Sequence, residues 1–168
     1  MIPGATGRVS PSASSPQRIM NRKKILVVDD NRLILKTMSM KLTSNGYDVV
    51  TAEDGAAAVS SVRKEKPDLI LLDLSFPTDA APGGGVPWDG FLIMNWLRRL
   101  EEARNIPIVV ITGSDPAKCK ERALAAGAAG FFHKPIDNDE LLVLIGETLA
   151  KNTGETPPAT DANAKPAA

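Results

Sequence analysis

Four apolar segments of this 168-residue chain are followed by residues that could bind a metal ion and a phosphoryl group. The segments are KKILVV, DLILL, IPIVVI and GFFH, and the residues that follow them are Asp29, Asp30, Asp73, Thr112 and Lys134. Short runs rich in Ile, Val, Leu and Phe are typical of buried strands in a parallel sheet. Because ligands of open α/β sheets bind at the carboxyl ends of the strands, we expect these side chains to converge.

Three carboxylates at one point repel one another unless positive charge compensates them. A divalent cation together with Lys134 balances the three negative charges, and oxygen ligands without His or Cys favour Mg²⁺ over zinc or copper. Asp73 stands alone after its run, which suits a carboxylate nucleophile that forms an aspartyl-phosphate. Helix capping by Asp30 or Asn31 is an alternative for the acidic pair. A cap does not, however, explain an acid and a lysine on other strands.

The chain between its two ends alternates apolar runs with amphipathic segments. The predicted strands are 24–28, 48–51, 69–72, 107–111 and 130–133, and the predicted helices are 31–44, 54–64, 90–99, 116–126 and 139–151. Strict alternation of strand and helix predicts an α/β fold, in which a doubly wound parallel sheet carries helices on both faces.

Composition limits the class of protein. Hydrophobic residues make up 43% and charged residues 24% of the chain, which is ordinary for a globular domain. The formal net charge is zero, so no basic field indicates nucleic acid or an anionic membrane as partner. No apolar stretch has the length of a membrane span or a signal peptide. The single Cys119 fits a reducing compartment, and we expect a cytoplasmic protein.

The two ends are rich in Ser, Pro, Gly, Ala and Thr and lack hydrophobic periodicity. We therefore predict a disordered N-terminal tail over 1–22, one folded domain over 23–151 and a disordered C-terminal tail over 152–168. Met20 is an alternative to Met1 as the translation start. Because no output domain follows in this sequence, we expect the domain to act on a partner in trans.

The constellation resembles the receiver domain of two-component response regulators, of the chemotaxis-receiver type. The resemblance extends from about residue 24 to residue 151 and rests on the motifs ILVVDDN, LILLDLSFP, VVITG and FFHKP. Asp30 precedes Asp73 by 43 positions, and Thr112 precedes Lys134 by 22, as in the family. The resemblance implies a flavodoxin-like (βα)5 sandwich whose five parallel strands have the order 2-1-3-4-5.

The resemblance also implies a role for each acidic residue. Asp73 is the expected phosphoacceptor, and Asp30 and Asp73 are expected to coordinate Mg²⁺ directly. Asp29 is expected to hold the waters of the metal, and the backbone carbonyl of Ser75 to be a further ligand.

The remaining implied roles concern the phosphoryl group and the switch. Lys134 is expected to pair with the phosphoryl group, with a cis peptide bond before Pro135. Thr112 is expected to move towards a phosphoryl oxygen and to vacate space for Phe131, so these two residues form the expected switch. An ordinary core position on a strand is the alternative for Phe131.

The function implied is that of a single-domain response regulator in a phosphorelay. A sensor histidine kinase or a histidine phosphotransfer protein is the expected donor, and residues 116–150 are the expected surface for an unknown downstream partner or a phosphorylation-dependent homodimer.

We expect the protein to catalyse only its own phosphotransfer and dephosphorylation, and not to be an enzyme that turns over a separate substrate. A phosphohydrolase of the haloacid dehalogenase type needs a second Asp where this chain has Ser75. A phosphorylation-independent scaffold is disfavoured because no acid, Thr or Lys of the motif is missing.

One segment departs from the family pattern. Between Pro77 and Asp89 the chain carries TDAAPGGGVPW, and we predict an insertion in the domain at 78–88. A flexible surface loop, a phosphate-binding loop and a loop anchored near the site by Trp88 are the alternatives. The phosphate-binding interpretation is weakened because no Gly-Lys-Ser/Thr follows the glycines.

Overall fold

The structure, a computed structural model, describes residues 22–76 and 89–153. Its strands are β1 (Lys24–Val28), β2 (Asp48–Ala52), β3 (Leu69–Asp73), β4 (Ile108–Thr112) and β5 (Gly130–His133). Its α-helices are α1 (Arg32–Ser44), α2 (Gly55–Glu65), α3 (Gly90–Arg99), α4 (Pro116–Ala125) and α5 (Asn138–Thr153), and a short 3₁₀ turn spans Glu101–Ala103. The predicted insertion at 78–88 and most of both predicted tails lie outside the described residues.

The five strands form one parallel sheet in the order β2-β1-β3-β4-β5, which confirms the predicted doubly wound, flavodoxin-like fold. The register brings the ends of the central strands level, because Val28 lies beside Leu72 and Asp73 lies beside Ile111. The residues that follow or close these strands therefore meet at one edge of the sheet.

Several helix and strand boundaries differ by one or two residues from the sequence predictions, and those of β3, β4 and α5 have a clear physical reason. Asp73 and Thr112 are the last residues of β3 and β4 rather than the first residues after them, since backbone pairing continues through both positions. β4 begins after Pro107, which has no N–H to donate to a neighbouring strand. α5 continues to Thr153, two residues into the predicted C-terminal tail, and the Thr153 hydroxyl donates to the carbonyl of Leu149.

Two apolar clusters cover the two faces of the sheet. The first joins alternate residues of β1, β3 and β4 to α2, α3 and α4, and the second joins the intervening residues to α1 and α5. Because β1, β3 and β4 are buried on both faces, their sequences are nearly continuous apolar runs. Among the described residues no helix is long and apolar enough to cross a membrane.

The first turn of α3 rests directly on the end of β3. Asp89 caps the helix, and its Oδ1 accepts a hydrogen bond from the N–H of Leu92 at 2.6 Å. A Cβ added to Gly90 would overlap the Cα of Leu74 and lie 2.5 Å from the carbonyl oxygen of Asp73. The close contact between Gly90 and the β3 end therefore fixes the backbone that carries Asp73.

Replacement of Gly90 by Ala tests this contact. The added methyl group has no space against the backbone of Leu74, so Gly90→Ala is expected to lower the free energy of unfolding by about 1–3 kcal/mol. Urea unfolding followed by circular dichroism measures the loss.

Gly146→Ala in α5 is the matched control, since a Cβ added there meets no atom within 4 Å. This control is expected to raise stability by about 0.5–1 kcal/mol, because alanine favours the helix. Equal effects of the two substitutions would contradict the contact.

Candidate functional site

Three carboxylates converge at the carboxyl edge of the sheet. Asp29 and Asp30 follow β1, and Asp73 ends β3. One oxygen from each lies within 4.8 Å of the others. Asp29 and Asp73 are only 3% and 5% exposed, whereas Asp30 is exposed. The strand-end convergence that the sequence predicts is therefore present in the structure.

The ammonium group of Lys134 bridges the two buried carboxylates. Its Nζ donates to Asp29 Oδ2 at 2.8 Å and to Asp73 Oδ2 at 2.7 Å. Burial alone would lower the pKa of Lys134, but the hydrogen bonds that it donates to Asp29 and Asp73, with the negative charge of both carboxylates, outweigh burial and raise the pKa. The backbone N–H of Lys134 donates to the carbonyl of Thr112, and the Lys134–Pro135 peptide bond is cis, as the resemblance implies.

Both oxygens of Asp29 have partners within the protein. Oδ2 accepts from Lys134, and Oδ1 accepts from the backbone N–H of Asn31 at 2.8 Å. Burial raises the pKa of Asp29, and the bonds from Lys134 and Asn31 only partly offset this effect. Asp73 likewise has partners at both oxygens, so the role of Asp29 in holding the waters of the metal stays a prediction.

The sequence offers Asp30 or Asn31 as the N-terminal cap of α1, and in the structure the cap is Asn31. Its side-chain oxygen accepts hydrogen bonds from the N–H groups of Leu33 and Ile34 at the start of α1. Capping therefore does not account for the exposed carboxylate of Asp30 beside the buried pair.

The donor set fits a hard divalent cation. The cluster Asp29, Asp30 and Asp73 offers only carboxylate oxygens, and Lys134 supplies one positive charge against three negative ones. Sites that offer only oxygen ligands and carry an excess of negative charge suit Mg²⁺. Ser75, whose carbonyl is the fourth predicted ligand, is exposed and lies two residues after Asp73, and its N–H donates to Asp73 Oδ1 at 2.8 Å.

The hydroxyl group of Thr112 is fully buried and takes part in a chain of hydroxyls. Its Oγ1 lies 2.8 Å from Ser75 Oγ, which lies 3.1 Å from Ser114 Oγ. The N–H of Ser114 also donates to Thr112 Oγ1 at 3.1 Å. Sequence reasoning missed the Ser75 and Ser114 side chains as partners of Thr112. The available signal was position, since each serine lies two residues after a strand-end site residue.

Phe131 lies in β5, opposite Val110 of β4, and is half-buried. Its ring packs against the apolar cluster that contains α3 and α4. The position is compatible with both interpretations of Phe131, as a core residue and as a switch residue, and the switch role stays a prediction.

The sheet order and the acidic site define a flavodoxin-like α/β protein with its ligand site at the carboxyl edge of the strands. The model of the response regulator receiver domain family matches residues 25–146, and the chain belongs to this family. It is similar to response regulator PleD of Caulobacter vibrioides, with 36% identity over 122 residues. It is also similar to the transcriptional regulatory protein KdpE of Mycobacterium tuberculosis, with 32% identity over 129 residues.

Solved structures show the same architecture. A CheY-like receiver domain protein from Methanospirillum hungatei aligns with a TM-score of 0.68 at 26% identity, over 79% of this chain and 98% of that one. Chemotaxis response regulator CheY4 of Vibrio cholerae aligns with a TM-score of 0.62 at 30% identity, over 78% of this chain and 98% of its own. By contrast, the alignments cover 73% of this chain but 25% of PleD, and 77% of this chain but 52% of KdpE.

The raised pKa of Asp29 predicts an effect on stability when divalent cations are removed. Between the ordinary carboxyl pKa of 3.8 and the raised folded value, the folded state binds more protons than the unfolded state. The contribution of Asp29 to stability therefore falls as pH rises through this interval. Asp29→Asn removes the effect, so in EDTA the variant is expected to be more stable than wild type at neutral pH. This difference is expected to shrink as pH falls to the ordinary carboxyl range.

Urea unfolding of both proteins in EDTA over a pH series measures the difference. Asp30→Asn is the control, because an exposed carboxylate is expected to change metal-free stability by no more than about 0.5 kcal/mol. An Asp29→Asn variant less stable than wild type at neutral pH would show that the Lys134 bridge outweighs the cost of burial.

Proposed function

We propose that this receiver domain accepts a phosphoryl group on Asp73 from a phosphohistidine donor and then binds a partner in trans. The observation that carries the proposal is the Lys134 ammonium, held 2.7 Å from the buried Asp73 within a cluster of three carboxylates. Phosphoryl transfer depends mainly on positioning and on neutralisation of charge, and this edge of the sheet provides both.

In the proposed step, a carboxylate oxygen of Asp73 attacks phosphorus, and the bond between phosphorus and the donor imidazole nitrogen breaks. The electron pair of that bond returns to the imidazole. Lys134 is close enough to pair with a phosphoryl oxygen. Asp30 and Asp73, with the Ser75 carbonyl and waters held by Asp29, would hold Mg²⁺. The bound ion supplies positive charge to the phosphoryl oxygens.

Self-phosphotransfer and self-dephosphorylation are the only reactions proposed, and turnover of a separate substrate is not. A haloacid dehalogenase-type phosphohydrolase uses a carboxylate two residues after its nucleophile as general acid and base. Here that residue is Ser75, whose hydroxyl is hydrogen-bonded to the hydroxyls of Thr112 and Ser114. A serine hydroxyl cannot replace a carboxylate as a base near neutral pH.

The proposed donor is a sensor histidine kinase or a histidine phosphotransfer protein in the cytoplasm. The proposed readout surface is 116–150, which comprises α4, β5 and the greater part of α5. Leu124 and Val143 are 45% and 54% exposed there, which supports an apolar contact with a downstream protein or a second copy of the chain.

A titration with beryllium fluoride, which mimics a phosphoryl group on a carboxylate, tests the proposal. With Mg²⁺ present, wild type is expected to bind beryllofluoride at a single saturable site, measured by calorimetry and by tryptophan fluorescence. EDTA is expected to abolish binding, since the acidic cluster then lacks its counter-charge.

Two variants serve as controls for this titration. Asp73→Ala removes the acceptor oxygen and is expected to abolish binding. Asp30→Asn keeps the acceptor and is expected to require a higher Mg²⁺ concentration for the same response. Absence of binding by wild type, or full binding by Asp73→Ala, would refute the proposed function.

A further inference from the structure

In the hydroxyl chain formed by Thr112, Ser75 and Ser114, the surroundings of Thr112 decide the direction in which its own hydroxyl donates. Thr112 Oγ1 accepts from the N–H of Ser114, and a buried hydroxyl proton requires an acceptor. Ser75 Oγ, at 2.8 Å, supplies that acceptor. Thr112 therefore donates its only proton to Ser75. Ser75 Oγ also lies 3.1 Å from Ser114 Oγ, and either of these two exposed hydroxyls can donate to the other.

Ser75 also contacts the phosphoacceptor itself. Its backbone N–H donates to Asp73 Oδ1 at 2.8 Å, while its side chain accepts from Thr112. A single residue thus joins the carboxylate on β3 to the hydroxyl on β4. Gly90 packs closely against the backbone of Leu74, the residue before Ser75.

We propose that the Ser75 hydroxyl is a positioning group that holds Thr112 in its resting arrangement and so sets the threshold for the switch. The inference rests on the proposed phosphorylation of Asp73. Thr112 can donate its proton to a phosphoryl oxygen only after it gives up its bond to Ser75. The phosphoryl group and Ser75 therefore compete for one proton, and the strength of the bond to Ser75 opposes the active state.

Removal of the Ser75 hydroxyl is expected to favour the active state. At saturating Mg²⁺, Ser75→Ala should bind beryllofluoride about two- to tenfold more tightly than wild type, as expected for the loss of one neutral hydrogen bond from the resting state. A Ser75 side chain that itself contacted the phosphoryl analogue would give the opposite result, namely weaker binding.

Three further variants separate positioning from general disturbance of the loop. Ser75→Thr retains the hydroxyl and is expected to restore wild-type affinity. Ser114→Ala removes an exposed hydroxyl but leaves the backbone N–H that bonds Thr112, so its affinity is expected to match wild type. In a Thr112→Val background, Ser75→Ala is expected to have no effect, because the competing proton is absent.

Nuclear magnetic resonance provides a direct readout of the resting state. Without beryllofluoride, the Thr112 methyl resonance of Ser75→Ala is expected to lie closer to the position of beryllofluoride-bound wild type, as a population shift requires. The Thr112 χ1 populations are expected to change with it.

The outcomes distinguish this inference from the proposed function. If wild type binds beryllofluoride and Ser75→Ala binds it equally or more weakly, the role of Ser75 is overturned while phosphorylation of Asp73 stands. If wild type does not bind, the proposed function fails. The positioning role of Ser75 is then tested by the Thr112 χ1 populations alone, and unchanged populations in Ser75→Ala would overturn this role as well.

Discussion

The arrangement of the acidic site depends on one ammonium group, which bridges two buried carboxylates. Asp29 and Asp73 come from different strands, and Lys134 follows a third strand, so this ion-pair network exists only when the sheet is assembled in its observed order. Burial of like charges is costly, and Lys134 offsets the cost only in part, as the raised pKa of Asp29 shows. The two apolar clusters on either side of the sheet supply the stability that the site lacks.

Strand positions, fold class and the convergence of the site could be predicted from sequence for one reason. A parallel sheet buried on both faces requires continuous apolar runs, and β1, β3 and β4 are such runs. Once those strands are parallel, their carboxyl ends lie at the same edge of the sheet, and residues at the ends of neighbouring strands come close together. The sheet order itself came from the family resemblance, because apolar runs alone do not specify which strands are neighbours.

The details that escaped prediction depend on contacts across the chain. The hydrogen bond between Ser75 and Thr112 joins residues 37 positions apart, and the position of Ser75 two residues after Asp73 does not by itself specify Thr112 as its partner. The choice of Asn31 rather than Asp30 as helix cap depends on the backbone angles at the end of β1. The strand limits at Asp73 and Thr112 are set by pairing with a neighbouring strand, which side-chain polarity does not reveal.

The central claim is that Asp73 accepts a phosphoryl group because Lys134 and a divalent cation neutralise its surroundings. Mass spectrometry of the full chain after incubation with acetyl phosphate and Mg²⁺, followed by peptide mapping, tests it most directly. A single phosphoryl group is expected on the peptide that contains Asp73, and it is expected to be absent in EDTA and absent in Asp73→Asn. An unmodified wild-type chain, or equal modification of Asp73→Asn, would contradict phosphorylation at Asp73.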